Sequence, residues 1–172
     1  MITLEQKKWL DHLNDLNSTE VIAYNPLVKQ VFKKIKNELI SVIGDVLIVH
    51  RGSTALKIAG QGEIDLYVPV ALKKFNLYLG QLSKYLGEPG SVYELRRARF
   101  VKYVDSIKVE IFLINRNSKD WKHSLLFENY LKKNPQALAE YEKLKMDNRG
   151  KSTKHYYTKK IEFINKVINL IK

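Results

Sequence analysis

The chain has 172 residues and no cysteine, so its length suits one domain with a hydrophobic core, and neither disulfides nor thiolate metal sites can form. Its four histidines show no zinc-binding spacing. A formal charge of +12 favours polyanionic partners such as nucleotides or RNA, although solvated lysine-rich helices give the same excess. No apolar run approaches the roughly 18 residues of a membrane span, and the start lacks a signal-peptide core, so we expect a cytoplasmic protein without membrane association.

Apolar periodicity in the first half of the chain predicts a mixture of helices and strands. Helical spacing predicts three helices, at residues 3–16, 26–43 and 70–86. The second of these helices begins at Pro26, which suits a first turn, and ends at Gly44. Apolar or alternating runs predict two strands, at residues 46–50 and 63–69.

The second half of the chain begins with a turn at 87–90 and a basic extended segment at 92–104. Residues 107–114 alternate between apolar and polar, which predicts a third strand. Helical spacing then predicts three C-terminal helices, at 118–133, 136–148 and 153–171. We therefore expect one domain of α/β (α+β) class. Its parts are an N-terminal helical extension, a catalytic α/β core and C-terminal helices, at residues 1–20, 21–115 and 116–172.

Three acidic residues stand where strand geometry can bring carboxylates together. Glu63 and Asp65 are two residues apart, so their side chains project from the same face of an extended strand. Glu110 lies on the later strand, between apolar neighbours. Carboxylate oxygens of this kind suit Mg²⁺ or Mn²⁺. We predict that Glu63, Asp65 and Glu110 are metal ligands and catalytic residues, with Asp65 bridging and Glu110 also accepting a proton.

A glycine-serine turn precedes these carboxylates. The sequence His-Arg-Gly-Ser-Thr-Ala at 50–55 follows an apolar run, and its backbone N–H groups and hydroxyls suit a triphosphate. We predict nucleotide or phosphate contacts for Gly52, Ser53 and Thr54. The order of these features predicts metal-assisted nucleotidyl transfer: the turn comes first, then the paired carboxylates, then the third carboxylate. In this reaction an NMP moves from an NTP to an acceptor hydroxyl.

This ordered set resembles the GrpB family of the nucleotidyltransferase superfamily. The likeness includes the turn at 50–55, and the family's spacing recurs in the C-terminal third at Phe127 to Leu131, Asn134, Pro135, Tyr141, Lys145, Tyr156, Lys160 and Phe163. The resemblance implies a short mixed sheet flanked by helices, a C-terminal helical bundle and Mg²⁺-dependent transfer. It also makes Lys145 and Lys160 candidates for phosphate contacts. Glu63 stands where superfamily members more often have aspartate.

The remaining basic residues leave the acceptor open. Arg96, Arg97 and Arg99 form a run that suits a polyanionic acceptor such as RNA, but such a run also occurs on exposed strands with no partner. A small-molecule acceptor fits the chemistry equally well. Two alternatives to catalysis stay open: a module that binds RNA through its basic surface, and one that holds a nucleotide without turnover.

Overall fold

The computed structural model describes residues 1–171 and confirms the expected mixed α/β class. The described residues form seven α-helices, which are α1 (Leu4–Asp11), α2 (Val28–Ile43), α3 (Gly52–Leu56), α4 (Phe75–Leu86), α5 (Lys119–Lys133), α6 (Pro135–Asp147) and α7 (Thr153–Leu170). They also form five strands, which are β1 (Val49–Arg51), β2 (Ile64–Val70), β3 (Ser91–Tyr93), β4 (Arg97–Val104) and β5 (Ile107–Asn115). A 3₁₀ turn, Leu72–Lys74, lies between β2 and α4.

The chain divides into two compact units. The sheet unit comprises Asn25–Lys57 and Gly62–Lys122. The helical unit comprises Met1–Tyr24, Ile58–Gln61 and residues 123–171. The short segment Ile58–Gln61 of the helical unit thus lies, along the chain, between the two stretches of the sheet unit.

The sheet is mixed, with strand order β1-β2-β5-β4-β3. The central strands β2 and β5 are parallel, and every other neighbouring pair is antiparallel. Asp65 on β2 stands beside Glu110 on β5 in register, and Arg51 on β1 stands across from Asp65. Residues in register share a face of the sheet, so these three positions lie on the same side.

The two faces of the central strands differ in composition. One face consists of apolar residues that are 0 % exposed, which are Ile64, Leu66, Val68, Val109, Ile111 and Leu113. Helices α2 and α4 contact this side through an apolar stripe that includes Ile35, Leu39, Phe75 and Leu82. The other face carries Asp65 and Glu110, so β2 and β5 present their carboxylates away from these helices.

The strand before the glycine turn is shorter than its apolar run predicts. The strand expected at 46–50 is instead Val49–Arg51, so the predicted bounds were wrong. Val49 pairs with Tyr67 of β2, so a longer ladder would pair Ile48 with Val68 and then Leu47 with Pro69, which has no N–H to donate. The pairing partner, rather than the run itself, sets the length of β1.

Two other elements of the sheet unit differ from the predictions. The helix expected at 70–86 begins at Phe75, because Val70 still belongs to β2 and a 3₁₀ turn follows. The extended segment expected at 92–104 is divided into β3 and β4 by a turn in which Leu95 has a φ of +53°. That turn reverses the chain, so β3 and β4 pair as an antiparallel hairpin.

The helical unit has an aromatic interior. Tyr141 of α6 is buried and stacks on Phe163 of α7, with ring centroids 5.2 Å apart. Trp9 of α1 meets Tyr157 of α7 edge-on, also at 5.2 Å. No helix within residues 1–171 combines the length and the apolar character needed to cross a membrane.

Backbone and side-chain hydrogen bonds hold residues 58–61 within the helical unit. Ile22 and Gly60 exchange two N–H···O=C bonds, of 2.8 and 3.0 Å. The N–H of Ala59 donates to Oε1 of Glu142 at 2.7 Å. This segment therefore leaves the sheet unit after α3 and returns at Gly62, immediately before the predicted metal ligands.

The first helix is shorter than predicted. A helix was expected over 3–16, but α1 ends at Asp11. Its start is well defined, because Thr3 and Gln6 form a reciprocal capping box. At the other end the Asn14 side chain accepts the N–H of Leu16 at 2.6 Å, which forms a local turn in place of another helical turn.

Candidate functional site

The three predicted acidic residues meet in the sheet unit. Glu63 lies immediately before β2, Asp65 is the second residue of β2, and Glu110 stands beside Asp65 on β5. One carboxylate oxygen from each residue lies within 4.8 Å of the other two. Glu110 is buried, while Glu63 and Asp65 are half-buried. We call these three residues the carboxylate cluster.

Gly52 brings the glycine turn directly against this cluster. Its φ is +77°, a conformation that glycine adopts without strain. A Cβ at this position would overlap Oδ2 of Asp65. Any larger residue would therefore displace the carboxylate as well as strain the backbone. Ser53 follows as the second residue of α3 and is half-buried.

Thr54 holds the turn to the segment that carries Glu63. Its hydroxyl donates to the carbonyl oxygen of Glu63 at 3.0 Å. Its Oγ1 also lies 2.8 Å from Nε2 of His50, so Nε2 carries the hydrogen in this arrangement. Phe32 of α2 stacks on the His50 ring at 4.9 Å. The buried Thr54 hydroxyl thus has two protein partners, and its predicted contact with phosphate stays a prediction.

The cationic side chains of Lys108 and Arg99 contact Glu63 and Glu110 of the carboxylate cluster. Nζ of Lys108 lies 2.9 Å from Oε2 of Glu63 and 2.7 Å from Oε1 of Glu110. Nη1 of Arg99 donates to the same Oε1 of Glu110 at 2.9 Å. Arg99 is on β4 and Lys108 on β5, so the neighbouring antiparallel strands supply both cations. The cluster is therefore largely neutralised by the chain itself.

Lys108 was not among the site residues predicted from the sequence. Burial alone lowers the pKa of its ammonium, but hydrogen bonds to Glu110 and Glu63, and their negative charges, outweigh burial and raise that pKa above its ordinary value. Lys108 therefore remains charged throughout the physiological range. Strand alternation contained the signal, because Lys108 precedes Glu110 by two residues and so shares its face.

Aromatic rings continue the same face of the sheet beyond the carboxylates. Tyr67 on β2 and Phe112 on β5, each two residues after a member of the cluster, stack at 4.7 Å. Trp121 at the start of α5 lies 5.8 Å from Tyr67, and the guanidinium of Arg51 lies 5.4 Å from the Trp121 ring. Polar and aromatic rows thus lie side by side on one face.

The three predicted polyanion-binding arginines have different surroundings. Arg96, in the turn before β4, donates from Nε to Oδ2 of Asp120 at 2.8 Å. Arg99 contacts Glu110 of the cluster. Both guanidinium groups therefore have an internal carboxylate, which reduces the positive charge available to a partner.

Arg97 differs from Arg96 and Arg99. Its guanidinium lies 5.0 Å from the centroid of the Tyr93 ring and 5.8 Å from that of Phe112. Within residues 1–171 it has no carboxylate partner, and its buried Nε makes no hydrogen bond. Polyanion binding stays a prediction for all three arginines, and Arg97 is the one best placed for it.

The two predicted phosphate-binding lysines both lie in the helical unit. Lys145 is 0 % exposed, and its Nζ lies 4.6 Å from the centroid of the Tyr141 ring. Lys160 is half-buried, with Nζ 5.2 Å from the Tyr157 ring. Cation–π contacts of this kind stabilise buried charge. A contact between either lysine and phosphate stays a prediction.

The donor set of the carboxylate cluster fits a divalent ion such as Mg²⁺. Mg²⁺ prefers oxygen ligands and uses one or two carboxylates together with water and substrate phosphates. Lys108 and Arg99 engage Oε2 of Glu63 and Oε1 of Glu110, which leaves the second oxygen of each carboxylate as a possible ligand.

These features define an α/β protein with a mixed sheet and a carboxylate-lined candidate site beside a glycine turn. The chain belongs to the GrpB family, because the family model described as GrpB protein matches residues 18–170. The match spans both units and includes the whole candidate site. The resemblance to the GrpB family, noted from the turn and the C-terminal helices, is therefore confirmed, and membership of the nucleotidyltransferase superfamily stays a prediction.

Individual relatives agree with this assignment. The chain is 31 % identical to the glutamate-rich protein GrpB of Alkalihalophilus pseudofirmus over 176 aligned residues, covering 90 % of this chain and 97 % of that protein. It is 26 % identical to a UPF0157 protein of Vibrio cholerae over 147 residues, covering 84 % of this chain and 78 % of the relative. The crystal structure of conserved protein GrpB from Enterococcus faecalis has the same fold, with a TM-score of 0.68, 23 % identity, and coverage of 87 % of this chain and 95 % of that one.

Proposed function

We propose that this protein transfers a nucleoside monophosphate from an NTP to an acceptor hydroxyl, with Mg²⁺ or Mn²⁺ as cofactor. The acceptor oxygen forms a bond to the α-phosphorus, and the bond from that phosphorus to the oxygen bridging to the β-phosphate breaks. Pyrophosphate leaves with the electron pair of the broken bond. The proton of the acceptor hydroxyl passes to a base in the site.

The observation that carries this proposal is the convergence of Glu63, Asp65 and Glu110. Three carboxylates with ligand oxygens within 4.8 Å of one another repel each other, and a bound cation would relieve that repulsion together with Lys108 and Arg99. The overlap that any Cβ at Gly52 would make with Asp65 shows that the turn is fitted to this carboxylate. The glycine turn and the carboxylate cluster together would form one binding site for a phosphate group and a metal ion.

The carboxylate cluster and the glycine turn have separate parts in the proposed reaction. Glu63, Asp65 and Glu110 would hold the divalent ion, which supplies positive charge against the phosphates and the leaving pyrophosphate. Glu110 stands beside Asp65 in register and is the candidate to receive the proton of the acceptor hydroxyl. The backbone at Gly52 and the hydroxyl of Ser53 are candidates for holding the phosphates.

Calorimetry with each NTP, with and without Mg²⁺, tests the binding half of the proposal. We expect Mg²⁺-dependent binding that weakens at least about 100-fold in Asp65→Asn, because loss of an outer partner of a metal ligand alone costs about 10- to 100-fold. Asp105→Asn is the matched control, since Asp105 is exposed and contacts Lys34. Equal binding by wild type and Asp65→Asn would contradict the site assignment.

Incubation with labelled NTP, Mg²⁺ and cell extract tests the transfer itself. The expected product is one labelled molecule that is absent when Asp65→Asn replaces the wild type. Release of pyrophosphate should accompany the label in equal amounts, because one bond breaks for each bond formed. A label that appears equally with the variant would show that another protein made the product.

A second candidate function is a nucleotide- or RNA-binding module without turnover. It is favoured by Lys108 and Arg99, which already neutralise the cluster, and by Arg97, which lacks a carboxylate partner within residues 1–171. RNA binding that weakens with salt, needs no metal and yields no pyrophosphate would support this function. Arg97→Gln should then weaken binding more than Arg96→Gln, because Arg96 already contacts Asp120.

A further inference from the structure

One face of β4 continues the face of the sheet that carries the carboxylate cluster. β4 is the neighbour of β5 on the side away from β2, and Val101 stands across from Glu110 and Tyr103 across from Lys108. Side chains alternate along a strand, so every second residue of β4 lies on this face. We call these residues the β4 strip, which consists of Arg97, Arg99, Val101 and Tyr103.

Part of the β4 strip is open to solvent, although the other face of the same strand is buried. Ala98 and Phe100, on the other face, are 0 % and 1 % exposed, whereas Val101 is 37 % and Tyr103 68 % exposed. The Tyr103 side chain makes no hydrogen bond or ring contact with any residue in 1–171. Diagonal neighbours of an antiparallel pair are about 7–8 Å apart, so this uncovered ring lies close to Glu110.

The glycine turn and β4 lie on opposite sides of the carboxylate cluster. The turn follows β1 and meets Asp65 on β2, while Glu110 is on β5, next to β4. In an in-line displacement the attacking and leaving oxygens are on opposite sides of the phosphorus. If the phosphates lie at the glycine turn and Glu110 receives the proton, the acceptor approaches from the side of β4.

The far end of the β4 strip carries a positive charge. The guanidinium of Arg97 lies against the rings of Tyr93 and Phe112 and has no carboxylate partner within residues 1–171. Arg97 and Tyr103 are about 20 Å apart along the extended strand, with Glu110 beside the middle of this distance. A flat ring, a hydroxyl and phosphates would therefore each find a matching group along the strip.

We propose that the β4 strip holds the acceptor, and that the acceptor is the 3′ end of a single-stranded nucleic acid. The terminal base stacks on Tyr103, the 3′ hydroxyl lies beside Glu110, and a phosphate contacts Arg97. Stacking on aromatic rings and contacts between cations and phosphates are the general basis of single-strand binding. A strand also brings many negative charges, which suits the formal charge of +12.

This inference rests on the proposed function, because it identifies the acceptor of that reaction. The 3′ oxygen of the strand forms the bond to the α-phosphorus, its proton passes to the base in the site, and pyrophosphate leaves with the electron pair of the broken bond. The strand therefore becomes one nucleotide longer.

Binding of an unpaired RNA of about ten nucleotides, followed by fluorescence anisotropy, tests the stacking contact. Tyr103→Ala should weaken binding about 5- to 150-fold, which is the cost of one lost stack, and Tyr103→Phe should bind as wild type does. Tyr85→Ala is the matched control, because Tyr85 is also exposed but contacts Glu38 and Lys102 on the side of α2 and α4. Equal affinity of wild type and Tyr103→Ala would overturn the inference.

The salt dependence of RNA binding tests the phosphate contact. For a single strand, the logarithm of the binding constant falls with the logarithm of salt concentration by about 0.7 per phosphate contact. Arg97→Gln should reduce this slope by about 0.7. Lys102→Gln removes the same charge from the other face of β4 and should leave the slope unchanged. If Arg97→Gln has the slope of wild type, the placement of the strand on the β4 strip is wrong.

Transfer of label separates this inference from the proposed function. With labelled NTP and Mg²⁺, wild type should label an RNA that ends in a 3′ hydroxyl but not the same RNA with a 3′ phosphate. Tyr103→Ala should label it more slowly while binding NTP as wild type does. If wild type labels only a free nucleotide, another small molecule or a protein, the inference fails and the proposed function stands. If wild type binds RNA but releases no pyrophosphate with any acceptor, both fail.

Discussion

Lysines on opposite faces of one sheet show how a candidate site differs from an ordinary ion pair. Lys102 on β4 donates to Oε2 of Glu38 at 2.8 Å and to the Tyr85 hydroxyl at 2.9 Å, on the side of α2 and α4. Lys108 on β5 contacts Glu63 and Glu110 on the other side. Both ammonium groups are hydrogen-bonded to two acidic or phenolic side chains, yet their settings are different.

The difference lies in the number of carboxylates and in how exposed they are. Lys102 has one carboxylate partner, and both side chains are 32 % exposed. Hydrogen bonds from Lys102 and Tyr85 lower the pKa of Glu38, and the bonds to Glu38 and Tyr85 raise that of Lys102. Lys108 contacts two carboxylates of a cluster of three, and the side chains of those two are only 15 % and 10 % exposed. Converging carboxylates with little exposure, rather than an ion pair as such, distinguish the candidate site.

The largest expected effect on stability comes from the apolar face. Leu66→Ala should lower the free energy of unfolding by about 2–5 kcal/mol, because Leu66 is 0 % exposed and its truncation leaves a cavity. Asp65→Asn, one residue away on the polar face, should weaken Mg²⁺-dependent NTP binding at least about 100-fold. Urea unfolding and calorimetry on both variants measure the contrast. If Leu66→Ala is as stable as wild type, the apolar face of the sheet does not provide the stability that distinguishes it from the carboxylate face.

Gly52→Ala should combine both kinds of effect. The added Cβ meets Oδ2 of Asp65 in a backbone with φ of +77°, so we expect a loss of about 3 kcal/mol and of nucleotide binding. Gly44→Ala is a matched control, because Gly44 has a φ of +79° and nothing within 4 Å of the added atom. Its cost, about 1–3 kcal/mol, should come from the backbone alone, because a ψ of −174° at this φ is a conformation that only glycine adopts readily, and nucleotide binding should be unchanged. Equal nucleotide binding by the two variants would show that the approach of Asp65 to Gly52 does not matter.

Thr54→Val tests whether the turn is held to the carboxylate segment by the hydroxyl. Valine matches the shape but leaves the Glu63 carbonyl and Nε2 of His50 without their partner, at a cost of about 1–3 kcal/mol. Metal-dependent binding should weaken too, since Glu63 loses its anchor. Thr54→Ser keeps the hydroxyl and should resemble wild type. If Thr54→Val is as stable as wild type and binds as well, the Thr54 hydroxyl does not support the site, and binding depends on the carboxylate cluster alone.

The smallest expected effect belongs to the Glu38–Lys102 pair and depends on pH. The pKa of Glu38 is lowered from its ordinary 4.5 by hydrogen bonds, so the pair stabilises the fold above pH 4.5 and loses this contribution as pH falls through the lowered pKa. Glu38→Gln should therefore be less stable than wild type at pH 7, by no more than about 1 kcal/mol. The difference should shrink below pH 4.5 in urea unfolding, with NTP binding unaffected throughout. A difference in stability between Glu38→Gln and wild type that grows below pH 4.5 would contradict the lowered pKa of Glu38.

Local patterns were sufficient for most of the elements. The apolar stripe of α2 and the stop at Gly44 identified that helix to within two residues at its start. Alternation at 107–114 placed Glu110 on the face opposite Val109, as β5 has it. The carboxylates of Glu63 and Asp65 were also expected together, and they do meet, although Glu63 precedes the strand. Periodic patterns of apolar residues involve positions that are close in sequence, so they can be recognised from the sequence alone.

The ends of the elements were harder to predict from the sequence, because some of them depend on pairing partners that are distant along the chain. The apolar run at 46–50 cannot reveal that its ladder meets Pro69. The end of the first helix has a local cause instead, since the Asn14 side chain accepts the N–H of Leu16, two residues further along the chain. These competing hydrogen bonds decide where helices and strands stop.

The sequence by itself determined which residues carry the candidate chemistry: a glycine turn, two carboxylates at strand spacing and a third on a later strand. Only the tertiary structure decided what surrounds them. It placed Lys108 and Arg99 on the cluster, engaged the Thr54 hydroxyl with His50 and buried Lys145 against Tyr141. The physical reason is that charge balance and burial arise from side chains of different elements, which meet only when the sheet pairs and the helices pack.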